Sequence, residues 1–295
     1  MQSSVARVPA GCDPAQARAL LAPGAIGRAA TLALHDELAL SPKPGLVTLV
    51  DCGSHHDMDG HTFMCSLFAL RGYFAGIARL GEMRAPFEAL ERCGIEAEAR
   101  MLAATHGVNT HRGAIFTLGL LCAAAGAVVR SGCRPSPEVL RYTLLECWGD
   151  ALAARATRQS VLPGGIAARR HGLRSASAEA ASGFPVLFET ALPAMQAGAA
   201  RGLSRHQVLL DTLFHVIAVL DDSNLAHRGG LEGLGHAQQA ARNFLAAGGS
   251  ARPNGVAAAL AIGRDFVSRR LSPGGAADTL AAVCLVTRIG LLRVA

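Results

Sequence analysis

Aromatic side chains make up only 4% of the 295 residues, with one Trp and two Tyr. That is too few for a β-sandwich core or for a row of base-stacking platforms. Lysine is almost missing: Lys43 is the single one, so the net charge of +6 is carried by Arg. No run of five basic residues occurs, which argues against nucleic acid as the partner. The eight cysteines include no C-x-x-C pair, and several lie in apolar runs where a thiol acts as a small hydrophobe. A reduced, cytoplasmic setting is the expectation. Residues 1–30 lack a basic start followed by an apolar stretch, and the apolar run 113–129 falls short of the ~20 residues that cross a bilayer. No membrane association is expected.

What is abundant is Ala, Leu and Val within a 51% hydrophobic composition. Small and unbranched side chains favour closely packed helices, so the expected class is all-α. The chain reads as a single large multi-helix domain over 1–295, with 1–23 a loosely ordered N-terminal segment. Helical spacing predicts helices near 25–40, 62–80, 86–104, 113–129, 137–155, 185–201, 204–220, 231–247, 253–270 and 273–292. Several start with Pro after a polar cap, as in Ser136-Pro137 and Ser272-Pro273. A loop of about twenty residues follows Ser41-Pro42, long enough to suggest function. The stretch 162–182, rich in Gly and Arg, reads as a loop that serves as flap or hinge. The Asn-x-His-Arg-Gly and Asn-x-x-His-Arg-Gly endings faintly suggest two related halves.

Five polar groups punctuate this apolar chain. Asn109-Thr110-His111-Arg112-Gly113 opens one apolar helix, where Asn109 and Thr110 are cap candidates, free N–H groups attract an anion, and Arg112 adds a bidentate donor. A cap with a surface ion pair is the plainer alternative. Asp221-Asp222-Ser223-Asn224 leads into His227-Arg228-Gly229-Gly230. If the helix from Ser204 runs on through residue 228, Asp221, Asn224 and Arg228 share a face that could hold a metal and a phosphate, with His227 beside them; capping or surface pairing is the alternative. Lys43, between two prolines, offers a point charge to phosphate unless it is a solvated turn residue. In the loop, Asp57 and Asp59 are spaced to meet one ion in extended backbone. Oxygen ligands imply Mg²⁺, while His55, His56 and His61 would recruit Zn²⁺ or Mn²⁺. Ser272-Pro273-Gly274-Gly275 is the fifth group. Together they suit a small polyanionic substrate.

These residues resemble the triphosphoribosyl-dephospho-coenzyme A synthases that serve citrate lyase and malonate decarboxylase. Six segments carry the resemblance in order: Ser41 to Val47, Ser54 to Asp59, Gly107 to Phe116, Gly183-Phe184-Pro185, Asp221 to Gly230, and Leu271 to Asp278. The stretch Arg174 to Glu179 departs from the family pattern, which puts the role of Glu179 in doubt. The resemblance implies an all-helical enzyme that transfers the triphosphoribosyl group of ATP to the 2′-hydroxyl of 3′-dephospho-coenzyme A and releases adenine. The product would pass to a carrier-protein transferase as a prosthetic-group precursor. Malonate decarboxylase is favoured over citrate lyase because the Ala- and Arg-rich composition suggests a high-GC genome.

For that reaction, Asp57, Asp59, Asp221 and Asp222 are the expected metal ligands and supply one general base. His111 or His227 would assist the leaving adenine. Lys43, His55, Asn109, Arg112, Asn224, Arg228, Ser272 and Gly274 are the expected substrate contacts. Two rivals are weighed beside it. His56-Asp57 resembles the His-Asp pair of helical metal-dependent nucleotide phosphohydrolases, where the pair lies on a helix; and a basic helical face would suit a non-catalytic partner of an acyl carrier protein.

Overall fold

Close approach between helices is what the small residues provide. The computed structural model describes residues 22–291 and builds them as α1 (Pro23–Ala39), α2 (Gly60–Glu82), α3 (Phe87–Ala104), α4 (Arg112–Arg130), α5 (Pro137–Ala156), α6 (Pro163–His171), α7 (Ala176–Ala181), a π-helical turn (Val186–Ala191) running into α8 (Leu192–Ala200), α9 (Arg205–Val219), α10 (Ser223–Ala246), α11 (Gly255–Ser268) and α12 (Gly274–Leu291). No strand occurs among the described residues, so the all-α expectation holds. Residues 1–21 of the expected loose segment lie outside the described residues.

The centre is α4. Every residue from Leu118 to Val129 on it is buried, and α2 and α12 pack along it while α1 lies against both of those. The α2–α4 contact is backbone to backbone: a Cβ at Gly81 would overlap the Ala123 carbonyl, and one at Gly126 the Ala78 carbonyl. Interiors at crystal-like density have no slack for such atoms. Both α2 and α4 are long and apolar enough to cross a membrane, α4 spanning 19 residues between Arg112 and Arg130, but α4 is enclosed as a core helix.

Two segments differ from the sequence expectation. The stretch 162–182 is not one loop: Pro163 begins α6, Gly172 ends it at φ 65°, and Ser175 caps α7 by accepting from Ala178 N at 3.2 Å. Helices of nine and six residues are too short for apolar periodicity to reveal. The helix from Ser204, closed by a capping box with Gln207, stops at Val219 instead of running to residue 228. Leu220 is extended and Asp222 starts a new helix, so the proposed shared face of Asp221, Asn224 and Arg228 does not form; only Asn224 and Arg228 sit on α10. Gly230 then kinks α10 at φ 64°.

Candidate active site

The loop between α1 and α2 is folded against the segment before α12, and this brings remote motifs together. Gly45 and Gly53 both have positive φ, and a side chain on Gly45 would overlap the Leu271 carbonyl, so glycine is required there. Ser54 Oγ donates to Leu271 O at 2.6 Å. Next to it, His55 Nε2 lies 2.9 Å from Ser272 Oγ, and His55 Nδ1 lies 3.1 Å from the Arg228 guanidinium. Since guanidinium is only a donor, Nδ1 accepts, and Nε2–H donates to Ser272. Burial, reinforced by Arg228, lowers the His55 pKa and favours this neutral ring. Arg228 also donates to Ser54 O at 3.1 Å and Arg270 O at 3.3 Å. His55, Arg228 and Ser272, named separately from sequence, form one cluster.

Asp222 joins a second pair of segments. Its Oδ1 accepts from Asn224 N at 2.9 Å and Leu225 N at 3.3 Å, capping α10, while Oδ2 accepts from Ala276 N at 3.0 Å in the first turn of α12. The side chain is 2% exposed, and its burial raises the carboxyl pKa against the pull of those N–H groups. Gly274 and Gly275 are small because Asn224 and Asp222 press on them.

A cavity of about 1140 Å³ opens beside these clusters. Four helix N-termini reach its wall, at Arg112-Gly113, Pro163-Gly164-Gly165, Ser223-Asn224 and Gly274-Gly275. Unpaired N–H groups and positive dipole ends make such termini anion sites; the start of α6 has no side-chain cap, while Asn109 and Asp222 already take some of the N–H groups of the other three. Phe63, Tyr73, Ile77, Leu90 and Phe116 supply an apolar side. Two buried polar atoms on the wall, Thr110 Oγ1 and His111 Nε2, have no hydrogen-bond partner, an arrangement folded proteins seldom leave unless something else satisfies it. His111 is 3% exposed, bonds Ser66 Oγ through Nδ1 at 2.6 Å, and is held neutral by burial with its pKa lowered to about 3. A smaller cavity of about 350 Å³ shares His55 and Arg228 with the large one and adds His56, Asp57 and Arg270.

Several expected residues serve the structure first. Lys43, 5% exposed, is ion-paired with the 4% exposed Glu37 and does not line either cavity, so it is neither a solvated turn residue nor a free charge facing phosphate. Burial raises the Glu37 pKa and lowers that of Lys43, each partly offset by the other. The N-cap position of α4 is His111, with no side-chain cap; Asn109 Oδ1 accepts from Arg112 N at 3.2 Å just before it, and Arg112 pairs with Glu98 at 2.6 Å; both Asn109 and Arg112 still line the cavity. His227 and Asn224 line it from α10.

The four-aspartate metal site does not assemble: among the described residues no group of three or more His, Cys, Asp or Glu side chains is placed to hold an ion. The carboxylates are used as caps instead. Asp59 Oδ1 accepts from Thr62 N and Thr62 Oγ1, both at 2.8 Å, Asp221 Oδ2 accepts from Arg174 N at 3.1 Å, and Asp222 is filled by the N–H groups above. Asp57, 64% exposed, has no backbone N–H on its oxygens and lies beside Arg228 and His55. His56 and Asp57 lie in the loop, not on a helix. Glu179 accepts from Val186 N at 2.7 Å and pairs with Arg174 at 3.1 Å, which gives it a role in holding α7 to the π-helical turn.

Asp278, on α12 one turn beyond Gly274, ends the last of the six segments and is not among the expected site residues. It lines the cavity against Gly113, where a Cβ would overlap its Oδ2. Glu37 lines the same wall; a carboxylate inside an apolar helical run gave no separate signal.

The family model described as ATP:dephospho-CoA triphosphoribosyl transferase matches residues 23–294. A protein of Vibrio cholerae serotype O1 (strain M66-2), named probable 2-(5''-triphosphoribosyl)-3'-dephosphocoenzyme-A synthase, is 39% identical over 274 residues, covering 90% of this chain and 88% of its own. The 2-(5''-triphosphoribosyl)-3'-dephosphocoenzyme-A synthase of Pectobacterium atrosepticum is 37% identical, covering 86% and 85%. A protein of Pseudomonas syringae pv. syringae, named a probable synthase of the same kind, is 41% identical, covering 86% and 87%. No solved structure matches the chain.

Proposed function

The chain belongs to the ATP:dephospho-CoA triphosphoribosyl transferase family, and we propose that its large cavity binds ATP and 3′-dephospho-coenzyme A together for transfer of the triphosphoribosyl group with release of adenine. One observation carries the reading: four helix N-termini converge on a single cavity that also has an apolar side. A triphosphate suits the former, a purine the latter. At about 1140 Å³ the space exceeds the roughly 300–1,000 Å³ usual for one small ligand, which supports two.

Arg228, with His55 and Ser272 fixing it, holds phosphate at the outer end, and Arg112 and Asn224 line the approach. Thr110 and His111 offer their unpartnered atoms to the purine or ribose. His227 lines the same wall from α10. Mg²⁺, when bound, neutralises triphosphate charge; a hard cation that keeps several waters needs one or two protein carboxylates, and Asp57, with no backbone N–H on its oxygens, is the one beside the phosphate-binding arginine. Asp222 does not fit that role because backbone N–H groups occupy both its oxygens, and Asp59 has Oδ1 committed to Thr62 at the start of α2.

The product's destination is a carrier-protein transferase, and malonate decarboxylase is preferred over citrate lyase on the Ala- and Arg-rich composition. Genome neighbours decide that point. The seven described cysteines are unbridged, which supports a reducing cytoplasm. The test of the activity is incubation of purified protein with Mg²⁺, ATP and 3′-dephospho-coenzyme A, read by mass spectrometry. Adenine and a triphosphoribosylated coenzyme are expected; ADP or phosphate without adenine overturns the reading.

A further inference from the structure

Four carboxyl groups line the large cavity among the described residues: Glu37, Glu91, Glu98 and Asp278. Three are neutralised by cations. Glu37 pairs with Lys43, Glu91 with Arg155 and Arg158, and Glu98 with Arg112. Asp278 has no ion pair among the described residues and faces the first turn of α4, near the backbone N–H of Ala114. Its position depends on Gly113, since any side chain there would displace Oδ2. The same corner carries the orphaned Thr110 Oγ1 and His111 Nε2.

We infer that Asp278 is the acid that gives a proton to the departing adenine, an inference that rests on the transferase reading above. As the bond between C1 of the ATP ribose and the purine breaks, both electrons leave with adenine. The Asp278 carboxyl proton moves onto a purine ring nitrogen. The 2′-hydroxyl oxygen of 3′-dephospho-coenzyme A forms the new bond to C1, and its proton, passed through water, restores the carboxyl.

An acid for this step must hold its proton near neutral pH. The charged and titratable groups facing Asp278 push that way. Enclosure is the main cause, like charge on Glu37 from α1 and on Asp222 from the α10 cap adds to it, and the carboxyl is raised well above the usual range. Lys43 offsets part of the Glu37 charge, so enclosure carries most of the effect, and His111 is neutral. The Ala114 N–H pulls in the other direction and does not outweigh them.

The test compares ATP with the triphosphate of 8-azaadenosine, whose base departs more readily without a proton. For Asp278→Asn, kcat with ATP should fall about 100-fold or more, while the Michaelis constant for ATP stays within about twofold and the unfolding temperature is held. With the 8-aza substrate the loss should shrink to under about tenfold. An equal loss with both substrates, or an unchanged kcat, overturns the inference. If Asp278→Asn does not fold, Asp278→Ala is assayed with added formate, and absence of rescue overturns it likewise. A wild-type protein that releases no adenine from ATP sinks the transferase reading itself, which separates the two failures.

Discussion

At the inner end of the cavity a lysine and a glutamate, each about 5% exposed or less, neutralise each other away from water; at the outer end Asp57, Arg228 and His55 do similar electrostatic work with the aspartate mostly in solvent. Coulomb interactions and desolvation both grow as water is excluded, so the inner pair is costly to break and the outer group is easily rearranged. The inner end therefore bears on stability and on which atoms hold protons. The outer end bears on ligand charge, where hydration must be exchanged quickly.

The sharpest way to break that contrast is Lys43→Met. It leaves the Glu37 carboxyl buried without a cation, and removing one partner of a buried pair costs about 3–5 kcal/mol. Urea denaturation should show this loss, and Lys43→Met with Glu37→Leu should recover much of it. Unchanged stability with a selectively raised Michaelis constant for ATP would instead put Lys43 on the triphosphate.

Arg228→Ala should behave in the opposite way. Loss of a charge-assisted phosphate contact, roughly 1.5–3 kcal/mol, predicts a drop of about 10- to 150-fold in kcat/KM for ATP. The unfolding midpoint should move little, because Arg228 is exposed. Arg228→Lys should recover little activity: one ammonium cannot reach His55, Ser54 O and Arg270 O as the guanidinium does. Steady-state kinetics at varied ATP distinguish the cases.

His111 sharpens the comparison through pH. Burial lowers its folded pKa to about 3, below the ordinary histidine value of about 6.5. Between these values the unfolded chain binds the proton and the folded one does not, so stability falls as pH falls through that window. From pH 6.5 to 5 the loss from this one group is about 1.6 kcal/mol. His111→Asn should lack that component, so the stability difference between wild type and variant should narrow on acidification. A difference independent of pH would mean that His111 binds its proton equally in the folded and unfolded chain.

How much of this was legible in the sequence follows the same division. Long helices announced themselves by period, and the break at Gly230 agrees with a helix expected from residue 231. His55, Arg228 and Ser272 were found because polar residues stand out among Ala and Leu. Asp222 stands out as one of a pair of acids after an apolar run, but its bonds to the first turns of two helices needed the meeting of α10 with α12, which no local pattern encodes. The Glu37–Lys43 pair was missed because a glutamate six residues before a lysine, across a helix end, looks like any solvated charge. Asp278 was hidden inside the apolar run of α12, and only its contact with Gly113 marks it.

The smallest expected effect separates two aspartates that sequence spacing treated as one metal site. Asp59 is the N-cap of α2, with Oδ1 committed to Thr62 N, and those N–H groups hold its pKa below the usual carboxylate range. Asp57, two residues earlier, has no backbone N–H on its oxygens and lies near Arg228. Asp59→Ala should lower the unfolding temperature by only about 2 °C, a lost surface cap in a chain of this size. It should leave the dependence of rate on Mg²⁺ unchanged. Asp57→Asn should do the reverse, keeping the unfolding temperature and raising the Mg²⁺ concentration needed for half-maximal rate. Titrating both variants with Mg²⁺ under saturating ATP decides the matter. Equal shifts would restore the paired site, and a shift for Asp59 alone would mean that the cap opens when the triphosphate arrives.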